Sequence, residues 1–164
     1  MSRPLDPTSE SQFDASVRLA ILGAFIGGGP APTIASVADA LGARRAETAA
    51  AFERLAAGHV IVLAPGTREI VMSAPFAGGP TDFVVRVGAR SYDANCIWDA
   101  LGIPAMLGGP AGQPVDADVA TRCADCGAAL ALRVRSGAVE AEPPDAVVHF
   151  AVPAARWWAD IVFT

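Results

Sequence analysis

The chain has 164 residues, of which 52% are hydrophobic, and its formal net charge is −5. This length allows one domain of ordinary size or two small lobes that share a core. Residues 1–80 carry six arginines against seven acidic residues, residues 81–164 carry six against ten, and lysine is absent. Neither half has the basic excess that is typical of proteins that bind nucleic acids.

No apolar run reaches the length needed to cross a bilayer, since the most apolar early stretch, residues 19–26, is short and ends in glycines. The N-terminus lacks the charged-then-apolar pattern of a signal peptide. We therefore expect a cytoplasmic protein without a membrane partner. The three cysteines, an odd number, are better interpreted as thiols or metal ligands than as a disulfide framework.

The first 76 residues have the element order of a winged helix-turn-helix domain. Apolar side chains at helical spacing, glycine stops and a Pro-Gly-Thr turn delimit the elements. In chain order we predict a frayed segment, three helices and two strands: 1–12; 13–26, 33–42 and 45–57; 59–63 and 69–72. Three helices followed by a two-stranded wing predict a winged helix.

The third helix of such a domain commonly reads DNA. Its outward residues here form a mixed set rather than a basic face: Arg44, Arg45, Glu47, Glu53 and Arg54. The alternative is that the unit serves as packing for the rest of the chain. The charge balance favours packing over DNA binding.

Residues 77–164 are predicted to form a small α+β domain with a mixed sheet. A linker over 73–80 precedes it, and a helix over 94–101 is predicted to end at Gly102 and Pro104. Strands are predicted at 81–87, 91–92, 115–122, 129–134, 139–142 and 147–152. The apolar residues 157–164 have the pattern of a strand that stops early, as if the C-terminal part of the domain were missing.

The motif at Cys96 and Asp99 carries the clearest chemistry. Positions three apart share a helix face, so the sulfur and the carboxyl group are predicted to point into one pocket. A cysteine in the first helical turn is favoured as thiolate by the helix dipole. A thiolate beside a carboxyl group combines a soft ligand or nucleophile with a proton carrier. The alternative is a buried cysteine that only packs, beside an aspartate that caps the backbone.

Three stretches resemble the alkylmercury lyase (organomercurial lyase) family: FVVRV at 83–87, YDANCIWDALGIPAML at 92–107 and VHFAVP at 148–153. With the winged helix that precedes them, the resemblance spans most of the chain. Its most specific part is the Cys-x-x-Asp helix that ends in an Ile-Pro pair.

The resemblance implies protonolysis of carbon–mercury bonds. Cys96 would capture mercury, and Asp99 would pass a proton to the leaving carbon, giving a hydrocarbon and protein-held Hg(II). No cofactor is required, because mercury belongs to the substrate and the product. The family uses a further cysteine from a strand near the C-terminal end. The sequence reaches Thr164 without it, so we expect either a truncated chain or an impaired site.

Cys123 and Cys126 form a Cys-x-x-Cys pair followed by glycine, which resembles half of a zinc ribbon. Three interpretations stay open: a two-thiolate metal clip completed by Cys96 or His149, a second station for mercury, and a turn whose thiols hold no ligand. Zinc at this pair is disfavoured, since a stable zinc site normally takes four ligands. The resemblance implies a structural role for Cys123.

Several further side chains are assigned by their position near these motifs. Tyr92, Asn95 and Trp98 are predicted to line the Cys96 pocket, although packing is the favoured role of Tyr92. The other assignments are Trp157 and Trp158 as core or pocket wall, His149 as a core or half-buried strand residue, and His59 as a cap of the third helix.

The leading hypothesis is an alkylmercury-lyase-like enzyme that takes a small organometallic or other thiol-reactive substrate. One alternative is a winged-helix regulator of transcription that responds to metals or thiols. Another is a metal-binding protein without catalysis. The near-neutral charge of residues 1–80 disfavours the regulator and DNA as a partner. The oligomeric state is not predicted.

Overall fold

A computed structural model describes residues 7–108, 112–150 and 152–161 of the chain, with side chains from residue 11 onward. The N-terminal part begins with three helices: α1 (Pro7–Ile26), α2 (Ile34–Leu41) and α3 (Arg45–Ala57). The frayed segment predicted over 1–12 was wrong from Pro7 onward, and residues 1–6 lie outside the described part. Proline suits the first helical position, whereas a polar first turn gives no apolar periodicity to detect.

A three-stranded antiparallel sheet follows, in the order β1 (Val62–Leu63), β2 (Ile70–Ser73) and β3 (Phe76–Ala77). The first strand begins later than predicted because His59 has a φ of 60°, which turns the chain after α3. The third strand lies inside the segment predicted as a linker. This prediction was wrong because Phe76, at 1% exposure, is a core residue.

The second sheet has five strands in the order β5-β4-β6-β7-β8, and all its neighbours are antiparallel. Its strands are β4 (Val84–Val87), β5 (Arg90–Asp93), β6 (Ala117–Arg122), β7 (Ala129–Arg135) and β8 (Ala138–Glu142). The fold is therefore α+β as predicted, but the described sheets are antiparallel rather than mixed. The connections explain this, since β6, β7 and β8 are joined by short turns that only antiparallel strands can use.

The helix α4 (Ile97–Leu107) packs against β4 and β6. It runs through Gly102 and Pro104, where the sequence predicts its end. Ile103 and Pro104 are buried, so apolar packing against the sheet offsets the helix-breaking tendency of proline.

In the part of the chain that the structure describes, the two strands predicted near the C-terminus do not form. Residues 146–150 have no regular structure and are exposed, with Val147 at 87%, and Ala151 lies outside the described part. The segment Ala154–Ala159 is a 3₁₀-helix rather than a strand, and residues 162–164 lie outside the described part. Apolar residues here cover a cavity instead of extending a sheet, which periodicity alone does not distinguish.

One hydrophobic core joins the helices and both sheets. Phe76 stands at its centre, stacked on Phe25 at 5.4 Å between ring centroids and tilted against Tyr92 at 5.8 Å. Phe76 also forms an isolated bridge with Ala94. This contact fixes the segment that leads into α4. Within the described residues, no helix is long and apolar enough to cross a membrane.

Candidate active site

A cavity of about 460 Å³ opens where the start of α4 faces the small sheet and the C-terminal 3₁₀-helix. Asn95, Cys96 and Asp99 line one side of it, and the opposite walls are mostly apolar or aromatic. Cys96 and Asp99 therefore line the same cavity, as their spacing predicts.

Cys96 is the N-cap residue of α4 rather than a member of its first turn, with φ −154° and ψ −179°. Its carbonyl oxygen accepts the N–H of Ala100 at 2.9 Å. The prediction placed Cys96 in the first turn of the helix, which is wrong because the helix begins at the next residue. The sulfur still faces the cavity because the N-cap side chain lies beside the exposed first N–H groups of the helix.

The Cys96 thiol has a raised pKa, first because burial disfavours the thiolate, and further because the Asp99 carboxylate is close. Backbone N–H groups of Asp99 and Trp98 act in the opposite direction and lower the pKa. Burial outweighs them. Burial thus opposes the preference for thiolate that the helix start predicts.

Asp99 also has a raised pKa, because burial disfavours its charged form. The side-chain amide of Asn95 donates a hydrogen bond of 2.8 Å to Asp99 Oδ2 and lowers the pKa in part. The other end of that amide, Asn95 Oδ1, is buried and finds no hydrogen-bond partner among the described residues. The carboxyl group is thus held in place and is more basic than an ordinary aspartate.

Aromatic side chains form a cover over this cavity. Trp98 is 63% exposed and meets Phe150 edge-on at 6.2 Å, and Phe150 contacts Trp157 at 5.5 Å. Trp158 stacks on His59 at 4.1 Å. Trp157 and Trp158 both line the cavity.

His59 lines the cavity as well, a role that its prediction as a helix cap missed. Its backbone does turn the chain after α3, with the N–H donating to the Ala56 carbonyl at 3.0 Å. His59 lines the cavity because segments about 100 residues apart meet there. The sequence contains no signal for this contact, so sequence reasoning missed the role.

The sequence model of the alkylmercury lyase family matches residues 76–164, which include Cys96 and Asp99. This chain belongs to the alkylmercury lyase family. A similar solved structure is that of the mercury-bound form of MerB2, with a TM-score of 0.63 and 22% sequence identity. The alignment covers 79% of this chain and 60% of that one, and at this identity it shows the shared fold. No curated protein matches the chain.

Tyr92 lies outside the cavity of this lyase-family site, which corrects its assignment as a pocket residue. Its ring is buried in the core, and its hydroxyl donates a hydrogen bond of 3.2 Å to the Ile26 carbonyl. It lines a separate cavity between α1 and the sheets. In the strand β5, alternation points Tyr92 to the core face, away from the segment that enters α4.

Cys123 and Cys126 lie in the turn between β6 and β7, and neither lines the Cys96 cavity. Among the residues that the structure describes, no group of three or more His, Cys, Asp or Glu side chains could hold a metal ion. A clip completed by Cys96 or His149 is therefore not formed. His149 is exposed rather than half-buried, because residues 146–150 leave the sheet.

Proposed function

We propose that this chain cleaves carbon–mercury bonds by protonolysis, with Cys96 as the mercury ligand and Asp99 as the proton carrier. The observation that carries the proposal is that a thiol and a carboxyl group, both of raised pKa, line one largely apolar cavity. Membership of the alkylmercury lyase family supports the reaction. The apolar wall suits the organic group of an organomercurial.

The first step exchanges the ligand on mercury. The Cys96 sulfur forms a bond to mercury, and its proton passes to the Asp99 carboxylate, whose raised pKa makes it a better base than an ordinary aspartate. The anion that mercury carried leaves. The products are an organomercury thiolate on Cys96 and a protonated Asp99, so charge and protons balance.

The second step breaks the carbon–mercury bond. Asp99 returns the proton to the carbon atom, and the electron pair of the carbon–mercury bond becomes the new carbon–hydrogen bond. Mercury stays in its +2 state and needs a second sulfur ligand as the carbon leaves, because it is a soft ion. Of the three cysteines, Cys96 alone lines the cavity. We propose that an added thiolate can form this second sulfur–mercury bond, so the assay of this chain includes a small thiol.

Asn95 and Trp98 have supporting roles in this proposal. Asn95 orients the Asp99 carboxyl group through the hydrogen bond of 2.8 Å. Trp98 lines the cavity and meets Phe150 edge-on at 6.2 Å, so it supplies an aromatic wall for the organic group of the substrate.

We propose that residues 1–76 form a winged helix that serves as packing for the site domain over 77–164. One arginine of α3 supports packing over DNA binding, because Arg54 donates to Asp14 at 2.7 and 2.9 Å. Glu53 pairs with Arg68 at 2.6 Å. Ion pairs within the chain leave these side chains less able to contact phosphates. The three free thiols suit a reducing compartment such as the cytoplasm.

The test follows benzene release from phenylmercury acetate in the presence of a small thiol, by headspace gas chromatography. We expect release by the unmodified chain and none above background by Cys96→Ser, since the hydroxyl is a poor ligand for mercury. The matched control Cys123→Ser should keep the rate within about twofold, an order-of-magnitude bound for surface changes. Benzene release by Cys96→Ser at the unmodified rate would overturn the site assignment.

A further inference from the structure

The turn between β6 and β7 has the geometry of a metal-binding knuckle. The N–H of Cys123 donates to the Ala128 carbonyl at 2.8 Å, and the N–H of Gly127 donates back to the Cys123 carbonyl at 2.9 Å. Gly127 has a φ of 71°, in the left-handed region that glycine adopts readily. These contacts close a tight turn over residues 123–128.

The two sulfur atoms of this turn lie together. The backbone N–H groups of Cys126 and Asp125 and the Cys126 side chain all interact with the Cys123 thiol, and they lower its pKa. Both cysteines are free, with Cys123 partly exposed and Cys126 exposed. Both thiols are therefore accessible to a ligand from solvent.

The composition of the ligand set selects among metal ions. Zinc takes four ligands in structural sites, and the described residues offer no group of three or more His, Cys, Asp or Glu side chains. Two thiolates alone satisfy a soft ion that accepts two sulfur ligands in a nearly linear arrangement, as Hg(II) does. The pair therefore suits mercury better than zinc.

We propose that Cys123 and Cys126 form a second mercury(II) site, separate from the Cys96 cavity. Binding replaces two thiol protons with two sulfur–mercury bonds, and no oxidant or reductant takes part. The site does not depend on the cleavage proposed at Cys96, because a free Hg(II) ion can occupy it directly.

The position of the turn places this site close to the first one. Cys123 and Asp125 line a cavity of about 370 Å³ whose wall includes Phe83. Phe83 also lines the Cys96 cavity. Ile97, which follows Cys96 directly, belongs to the wall of the second cavity. The two thiol sites are thus neighbours across one aromatic side chain.

The test uses HgCl₂ and the Cys96→Ser variant, which retains Cys123 and Cys126 as its two cysteines. Freshly reduced protein is mixed with HgCl₂ and excess monothiol, and bound metal is measured by native mass spectrometry. We expect one Hg(II) per chain. The matched control Cys96→Ser/Cys126→Ser keeps a single thiol and should bind Hg(II) at least roughly 10²-fold more weakly, because the chelate is lost.

Equal retention of Hg(II) by the two variants, or no retention by Cys96→Ser, would overturn the proposal. Circular dichroism of both variants verifies that each is folded, and Cys96→Ser/Cys123→Ser serves as a second single-thiol control. A parallel sample with Zn(II) should lose its metal to a chelator, whereas tightly held Zn(II) would contradict the two-ligand site. Because every sample lacks Cys96, failure of the cleavage proposal leaves this result unaffected.

Discussion

The two thiol sites of the chain differ in electrostatics although backbone N–H groups interact with both thiols. Backbone N–H groups lower the pKa of Cys96 at the start of α4 and of Cys123 in the β6–β7 turn. Burial nevertheless raises the pKa of Cys96 overall. The pKa of Cys123 stays lowered because this residue lies in an open turn. Local hydrogen bonds thus lower the thiol pKa in both places, and tertiary burial decides the outcome.

The surroundings of the two thiols come from different parts of the chain. The Cys96 cavity is built from distant segments, among them His59, Met72 and Trp158. The environment of Cys123 comes from residues 125–128 of the same turn. Disturbing the core should therefore change the first thiol, and disturbing the turn should change the second.

The largest effect is expected from Phe76→Ala. Phe76 is 1% exposed and contacts both Phe25 and Tyr92, so its loss should lower the free energy of unfolding by about 3–5 kcal/mol. Urea denaturation measures this change. Site-resolved alkylation below the unfolding transition should show faster reaction of Cys96 and an unchanged rate at Cys123. The exposed control Val139→Ala should change stability by less than about 0.5 kcal/mol.

Alkylation of the unmodified chain should distinguish the reactivities of Cys96 and Cys123 directly. At neutral pH, Cys123 should react with iodoacetamide faster than Cys96, because the thiolate is the reactive form and burial disfavours it at Cys96. Site-resolved mass spectrometry over a time course gives both rates. In urea the two rates should converge. A faster reaction at Cys96 in the folded chain would contradict the assigned electrostatics.

Gly127→Ala should affect the turn alone. A side chain at a φ of 71° meets no neighbouring atom within 4 Å, so the cost is backbone strain of roughly 1–2 kcal/mol. We expect that loss in unfolding free energy together with slower alkylation of Cys123, while Cys96 keeps its rate. Gly79→Ala is the matched control, since Gly79 also has open space but no positive φ. Equal effects of the two variants would refute the role of the turn.

The smallest effect is expected from Asn95→Ala. The Asn95 amide lowers the pKa of Asp99, so its removal should raise that pKa further. The protonated carboxyl group then persists to higher pH, and cleavage of a preformed organomercury complex should decline at higher pH than in the unmodified chain. Titration of the Asp99 carboxyl carbon by NMR checks the direction of the shift. A shift to lower pH would exclude the proposed hydrogen bond.

The sequence predicted those features that depend on neighbours along the chain. α3 (Arg45–Ala57) has the predicted bounds, α2 (Ile34–Leu41) lies within its predicted range of 33–42, and β8 starts within one residue of its prediction. The meeting of Cys96 and Asp99 in one cavity also follows from their spacing.

What the sequence could not predict depends on tertiary contacts. Pro104 stays inside α4 because burial against the sheet outweighs its local cost. The apolar pattern of 157–164 predicts a strand, but residues 154–159 form a 3₁₀-helix whose Trp157 and Trp158 line the cavity. The raised pKa of Cys96 arises from burial by segments far away in sequence, and no local rule contains that information.

The roles of Cys96 and Asp99 are tested most directly by measuring mercury capture and cleavage of the carbon–mercury bond separately. In a Cys123→Ser/Cys126→Ser background, Cys96 is the remaining cysteine, and Asp99→Asn removes the proton carrier. After addition of phenylmercury acetate and thiol, intact mass should show phenylmercury on Cys96, while benzene release falls by about 10²–10⁴-fold. Benzene release at the rate of the background chain would contradict the role of Asp99 in breaking the carbon–mercury bond.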